Sequence, residues 1–491
     1  QHVVVGARGV EGESLWNIAE WFTGDGANYS LIRKANPSQG LSTRKGDVIL
    51  VPQRLLTAAF GGSSEEENAP KTAAEVRKPG DDQTQRAAAD ENVPEAAAVA
   101  LGTPSLTYDR SAAEPYAVYR LQKGEALYSS VAIRFTGRVY ANDVGDVLDR
   151  IVKFNEIEDV SKIPVNHPVK IPMELLLPQW LPQDAPERVA REATLRESAK
   201  DAKRTRAKGL AGVQVILDAG HGGRDVGTEH DDVWESTYVY DVACRLKRIL
   251  EKQSEAKVSM TTRSKSAGFS IVEKNVLEAP RDHYVQTTPK YLLDDAIVGV
   301  NLRWYLANSI FRRAMKEGVT REKVVFLSIH ADSLHPSLRG AMAYVPGAEF
   351  VTGSYRKKGD IYLTRAEVRE QPTVTHSRED SLRAEGLSRE LAGSIMSSFE
   401  RKGLKVHPFE PVRDNVIRRG NEWVPAVIRH NQVPTRMLLE VCNLGNAKDR
   451  ELIKTKKYRQ QLAEAIYQGL VDFYGREEPR PAAGVVASGS K

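Results

Sequence analysis

The sequence predicts an α/β domain with a mostly parallel sheet flanked by helices, preceded by two small α+β domains, each in strand-helix-helix-strand order. Three observations carry that expectation. From Val213 onward, short apolar runs alternate with amphipathic helical stretches, the pattern of parallel strands joined by crossover helices. Two earlier blocks repeat similar words in the same order. Between these blocks lie stretches poor in large apolar side chains, which cannot bury enough surface to offset the entropy of ordering.

At 491 residues the chain exceeds one ordinary core. Its 41% hydrophobic and 27% charged residues fit globular sequence with some disorder. No apolar run reaches the roughly 18 residues needed to cross a bilayer, so no membrane span is expected. The net charge of +5 is dispersed along the chain, which argues against nucleic acid as a partner and leaves an anionic polymer or surface compatible. Cys244 and Cys442 lack CxxC spacing, which excludes a cysteine zinc finger or disulfide scaffold. Two buried free thiols are expected, a single bridge being the alternative. A first residue of Gln1 in place of Met fits removal of a targeting segment or tag.

The first block, 1–56, opens with an alternating stretch at Val3 to Val5, turns through Gly12-Glu13-Ser14-Leu15-Trp16, and closes on Val48 to Val51 before Pro52. After a stretch read as linker, 57–114, the second block spans 115–178. There Tyr116 to Tyr119, Gly124-Glu125-Ala126-Leu127-Tyr128 and Val169 to Ile171 occupy the same places. Each block has an Asn near the end of its second helix, Asn36 or Asn155. A second linker, partly helical, is expected over 179–212, the main domain over 213–475, and a disordered tail over 476–491.

The blocks resemble the LysM module. The resemblance implies binding of glycans that contain N-acetylglucosamine, with contacts at Gly12, Glu13, Ser14 and Leu15. On the residues alone, Ser14 equally serves as a helix cap and Leu15 and Trp16 as core.

In the main domain the strand Val215 to Gly220 runs into His221-Gly222-Gly223, and Val324 to Ile329 runs into His330-Ala331-Asp332. Met437-Leu438-Leu439 delivers Glu440. Ligands gather beyond the carboxyl ends of such strands. Between the histidines, Val239, Val242, Leu246 and Ile249 mark the inner face of a helix whose first turn carries Glu235. A carboxylate on that buried side is costly without a partner, and a metal ion is one. Two imidazoles and a carboxylate, His221, Glu235 and His330, make a common catalytic zinc set, one ion with a position open to water. Glu440 then serves as general base. The alternatives are that Glu235 is a helix-dipole acid and that Glu440 pairs with Arg413 or Arg436. His230, His283, His335, His376, His407 and His430 lie in polar or loop-like contexts and are read as ordinary histidines.

The strings Ile216-Leu217-Asp218-Ala219-Gly220-His221-Gly222-Gly223, Ser328-Ile329-His330-Ala331-Asp332 and Leu439-Glu440-Val441-Cys442-Asn443 resemble the zinc-dependent N-acetylmuramoyl-L-alanine amidases of bacterial cell walls. The resemblance implies zinc on His221, Glu235 and His330, Glu440 as the catalytic carboxylate, and hydrolysis of the amide between muramic acid and L-alanine of peptidoglycan. It further implies a periplasmic or secreted protein and leaves open a protein activator. Two readings compete: an inactive glycan-binding scaffold, and a zinc peptidase acting on stem peptides. Two polar excursions, Ala267 to Val300 and Gly347 to Asp380, interrupt the pattern. The first is the expected place for a lid or regulatory segment, surface excursion being the alternative.

Overall fold

The computed structural model describes residues 2–3, 18–19, 29–36, 48–56, 104–201, 207–230 and 232–475. They divide into two compact units after Trp180.

In the first unit, strands β1 (Thr107–Asp109), β2 (Tyr116–Arg120) and β3 (Pro168–Pro172) form an antiparallel sheet in that order. Between β2 and β3 run α1 (Leu127–Ile133, of π-helical bonding, continued by Arg134–Thr136) and α2 (Ala141–Phe154). The second block thus has the expected strand-helix-helix-strand order. Strand β1 precedes it, inside the stretch that composition assigns to the 57–114 linker. Its ordering comes from polar tethers: Tyr108 Oη donates to Trp180 O at 2.9 Å and Tyr116 Oη to Asp109 Oδ2 at 3.0 Å. Phe135 meets Tyr119 in a tilted contact and Trp180 edge to face, with centroid separations of 5.0 and 5.1 Å.

Both blocks use asparagine in the same way. Asn155 Nδ2 donates to Ile151 O at 2.8 Å and Lys170 O at 2.7 Å, while its Oδ1 accepts from Lys170 N at 2.7 Å. One side chain therefore satisfies the end of α2 and an edge group of β3 together. In the first block Asn36 Nδ2 donates to Ile32 O at 2.7 Å and Leu50 O at 2.8 Å, and its Oδ1 accepts from Leu50 N at 2.8 Å. There His2–Val3 pairs antiparallel with Val48–Ile49, and a helix spans Tyr29–Ala35. Gly12, Glu13, Ser14 and Leu15 lie outside the described residues.

The second unit begins with α3 (Pro186–Asp201), where composition suggests a partly helical linker. This helix lacks a broad apolar stripe and is docked by polar contacts. Arg191 pairs with Asp414 at 2.7 Å and Glu410 at 3.4 Å, and Arg378 pairs with Glu197 at 3.0 Å. Then come β4 (Gln214–Ala219), α4 (Glu235–Gln253), β5 (Lys257–Met260), α5 (Ala296–Lys316), β6 (Val324–Asp332), β7 (Met342–Tyr344), α6 (Arg378–Arg401), β8 (Val412–Arg413), β9 (Thr435–Asn443) and α7 (Lys456–Gly475). The six-stranded sheet has the order β8-β7-β9-β6-β4-β5. Strands β9, β6, β4 and β5 are parallel, β7 runs antiparallel to β9, and β8 is parallel to β7. The sheet is mixed and mostly parallel.

Side chains alternate along each strand. Leu217, Ala219, Leu327, Ile329, Leu439 and Val441 face the core shared with α4, α6 and α7. Asp218, Ser328, His330 and Glu440 occupy the intervening positions, on the face covered by α5. Cys244 and Cys442 are both buried and free, with no bridge; burial pushes the Cys244 thiol up to about 12 and that of Cys442 upward too.

The excursion Ala267 to Val300 is anchored along its length. Its strands His283–Val285 and Tyr291–Leu292 extend an antiparallel sheet begun by Thr262–Ser264. Asp241 Oδ2 accepts from Arg245 Nε at 2.7 Å and Arg459 Nε at 2.6 Å. The same guanidinium groups donate to Val272 O at 2.9 Å, Lys274 O at 2.6 Å and Asn275 O at 2.9 Å. Ala366 N donates to Thr288 O at 2.7 Å, tying this excursion to the one at Gly347 to Asp380.

Candidate metal centre

Strand β4 ends at Ala219, and Gly220-His221-Gly222-Gly223 leaves it in a sharp turn. His221 itself has φ of 60°, a left-handed conformation that is costly for a residue with a Cβ and persists only when its surroundings enforce it. His221 Nδ1 lies 2.9 Å from Asp225 Oδ1. A carboxylate only accepts, so Nδ1 carries a hydrogen, which leaves Nε2 as the nitrogen free to bind a metal once the ring is neutral. That Nε2 faces Glu235 Oε2 at 3.3 Å.

Glu235 opens α4 and is 3% exposed. Its Oε2 accepts from Thr228 N at 2.9 Å, and its Oε1 accepts from Ala331 N at 3.1 Å and faces His330 Nδ1 at 2.9 Å. The two imidazole rings stand edge to face with centroids 4.9 Å apart. His221, Glu235 and His330 each offer a ligand atom within 4.8 Å of the others. Burial penalises the Glu235 carboxylate, but the two histidines outweigh it and hold it well below the ordinary carboxylate range. Burial likewise pulls His221 down, and Glu235 with Asp225 pushes it up to about 10. Burial keeps His330 below the ordinary histidine range.

Two glycines make this convergence sterically feasible. A Cβ on Gly220 would lie 2.5 Å from His330 Cε1, and one on Gly227 would lie 2.5 Å from Glu235 Oε2. The residues suit a zinc ion: two neutral-capable imidazoles and one ionised carboxylate converge, and an outer carboxylate, Asp225, orients one imidazole.

Strands β6 and β9 run past the points where the sequence ends them, so His330 and Glu440 lie within the ladder. They are Cα partners in register and share one face of the sheet. Glu440 does not pair with Arg413 or Arg436. Arg436 instead donates to Ile428 O and Val433 O, and Glu440 Oε2 is buried without a partner. Burial first, then the charges of Asp332 and Glu235, push Glu440 well above the ordinary carboxylate range. At the end of β9, Asn443 Oδ1 accepts from Leu334 N and Gly445 N, both at 2.8 Å, and thereby fixes the loop after His330.

The site brings together the four residues singled out in the sequence. Asp225, Gly227 and Asn443 were not singled out. Asp225 was readable as the acid four residues beyond His221, across a Gly-Gly turn. The six histidines set aside as ordinary all lie outside the triad, although His283, His335, His376, His407 and His430 are buried.

Residues 215–472, more than half of the chain, match the family model described as N-acetylmuramoyl-L-alanine amidase. An uncharacterized cell wall amidase of Bacillus anthracis is 23% identical over 265 residues, covering 54% of this chain and 36% of the relative. The chain thus spans little more than a third of that relative. Among solved structures, the N-acetylmuramyl-L-alanine amidase Ami1 of Mycobacterium smegmatis is 19% identical, with a TM-score of 0.34 over 55% of this chain and 99% of its own. The amidase AmiC2 of Nostoc punctiforme is 17% identical, with a TM-score of 0.32 over 54% of this chain and 99% of its own.

Proposed function

Because the chain belongs to the N-acetylmuramoyl-L-alanine amidase family, we propose that it is a zinc-dependent peptidoglycan hydrolase cleaving the amide between N-acetylmuramic acid and L-alanine. The convergence of His221, Glu235 and His330 with Glu440 one strand away carries this reading. Bound by His221, Glu235 and His330, zinc supplies Lewis acidity, which makes water a stronger acid and the amide carbonyl a better electrophile. Glu440 takes the proton of the attacking water and returns it to the departing nitrogen. Asp225 fixes the His221 tautomer, and the Thr228 and Ala331 amides orient the Glu235 carboxylate.

The two N-terminal blocks act as LysM-like modules that hold the enzyme on glycan strands, with Gly12, Glu13, Ser14 and Leu15 as contacts in the first. The shared Asn36 and Asn155 bridges support a common module. Among the described residues no helix is long and apolar enough to cross a membrane, and the reading places the protein in the periplasm or outside the cell.

Digestion of purified peptidoglycan by the zinc-loaded chain, followed by mass spectrometry, tests the assignment. Stem peptides with a newly free L-alanine amine are expected, and Glu440→Gln should lower their release about 10²- to 10⁴-fold. Fragments cut only within the stem peptide would identify a peptidase instead.

A further inference from the structure

We propose that Arg303 is a positioning residue for the metal ligand His221, acting with Asp218 as a clamp beneath the turn that carries it. The inference rests on the zinc reading above. Asp218 and Ser328 are Cα partners in the β4–β6 ladder, two residues below Gly220 and His330 respectively and on the same face. Asp218 Oδ2 accepts from Ser328 Oγ at 2.6 Å and from Arg303 Nη1 at 3.3 Å, and Oδ1 accepts from Thr261 Oγ1. Arg303 projects from α5, is 3% exposed, and its Nη1 also donates to Ala219 O at 3.0 Å.

That last contact bears most directly on the site. The pairing of β4 with β5 ends at Leu217 opposite Met260, and Thr261 N bonds back to Leu217 O. The Ala219 carbonyl therefore lies beyond the neighbouring strand and receives no ladder hydrogen from it. A buried carbonyl needs a donor, and Arg303 provides one. Ala219 is two residues before His221. On the other side Gly220 N is held by Ile329 O at 2.8 Å. The backbone entering the turn is thus gripped from both flanks, and the left-handed His221 sits immediately beyond the grip. Releasing one flank lets the turn relax toward an ordinary conformation, which swings Nε2 away from Glu235 and His330. Arg303 makes no hydrogen bond to a ligand atom: it holds the Ala219 carbonyl and Asp218, and its charge also reaches His330 and Asp225.

The test is zinc affinity of the full chain, measured by competition with a chromogenic chelator well below the thermal midpoint. Arg303→Met and Asp218→Asn should each weaken zinc 10- to 100-fold, as loss of outer support does at metal sites. Arg303→Lys should recover part of that loss, because the ammonium keeps a positive donor for Ala219 O and Asp218 but lacks the rigid planar geometry that places Nη1 between them. Arg245→Met, which disturbs a buried arginine that pairs with Asp241, should lower the thermal midpoint yet leave zinc affinity within threefold. If Arg303→Met proves unfolded, Ser328→Ala removes one bond to Asp218 at small cost in volume and should weaken zinc threefold or more. Affinity within threefold of wild type in a folded Arg303→Met, or in Ser328→Ala, overturns the clamp while leaving the zinc reading intact. A wild-type chain that binds no zinc overturns both.

Discussion

Gly220 and Gly227 set how closely the ligands converge. Replacing Gly220 with Ala puts a methyl where the His330 ring now lies, so the ring must move by a large fraction of an ångström or more. Displacements of about 1 Å in a catalytic site cost on the order of 10²-fold in rate. Gly220→Ala should therefore fold, show reduced zinc content by elemental analysis, and lose about two orders of magnitude in activity. His335 has a different role: it is buried, its Nδ1 lies 2.8 Å from Ser337 Oγ, and burial pulls it down to about 4. Its folded value lies below its unfolded one near 6.5, so the unfolded chain takes up the proton first. Its contribution is complete above pH 6.5 and declines as pH falls toward 4, reaching a loss of about 2 kcal/mol at pH 5. Urea midpoints at pH 7 and pH 5 should show a smaller acid loss for His335→Asn than for wild type.

Among the elements, α3 shows what a composition-based reading misses. Its sequence, rich in Ala, Glu, Arg and Lys, carries no broad apolar stripe. Its place against the second unit is fixed by ion pairs whose partners, Asp414 and Glu410, are more than two hundred residues away. Arg191→Ala should lower stability by about 1 kcal/mol, since Asp414 keeps Arg389 at 2.7 Å. Removing residues 1–203 should cost the catalytic unit more than removing 1–181. Differential scanning calorimetry of the two truncations checks this, and equal midpoints would reject a stabilising role for α3. The strands β4, β6 and β9 were legible because each buried apolar run ends in polar residues. Their lengths were not: the ladder continues through His330 and Glu440, and only pairing shows that the two are register partners. Strand β1 was missed because three residues between polar neighbours give too short a pattern. The antiparallel β7 was missed because strand direction is a property of pairing.

At the scale of the whole molecule, the sequence shows the succession of apolar runs, the repeated Asn36 and Asn155, and the four polar residues that the fold brings near one another. Repetition, glycine turns and polar residues at strand ends are all local signals. What it did not deliver depends on distant partners: the Asp225 contact aside, Asn443 reaching the loop after His330 and Arg303 reaching Ala219 O are separations no short window spans. The anchoring of Ala267 to Val300 by Asp241, Arg245 and Arg459 belongs to the same class, and it makes that excursion a fixed wall along residues 272–275. If the N-terminal blocks hold the enzyme on its polymer, deletion of residues 1–178 should weaken co-sedimentation with insoluble cell wall at least tenfold while leaving hydrolysis of small soluble fragments unchanged. Undiminished sedimentation would remove the tether.

Both thiols lie inside the second unit, unbridged and with their proton affinity raised by burial. The catalytic unit therefore gains nothing from an oxidant during folding and loses nothing to a reductant afterwards. Folding of this unit depends on no disulfide-forming catalyst, and mispairing is confined to the time before Cys244 and Cys442 are enclosed. Native protein should resist alkylation at both positions and keep its thermal midpoint in dithiothreitol, whereas urea should expose two reactive thiols.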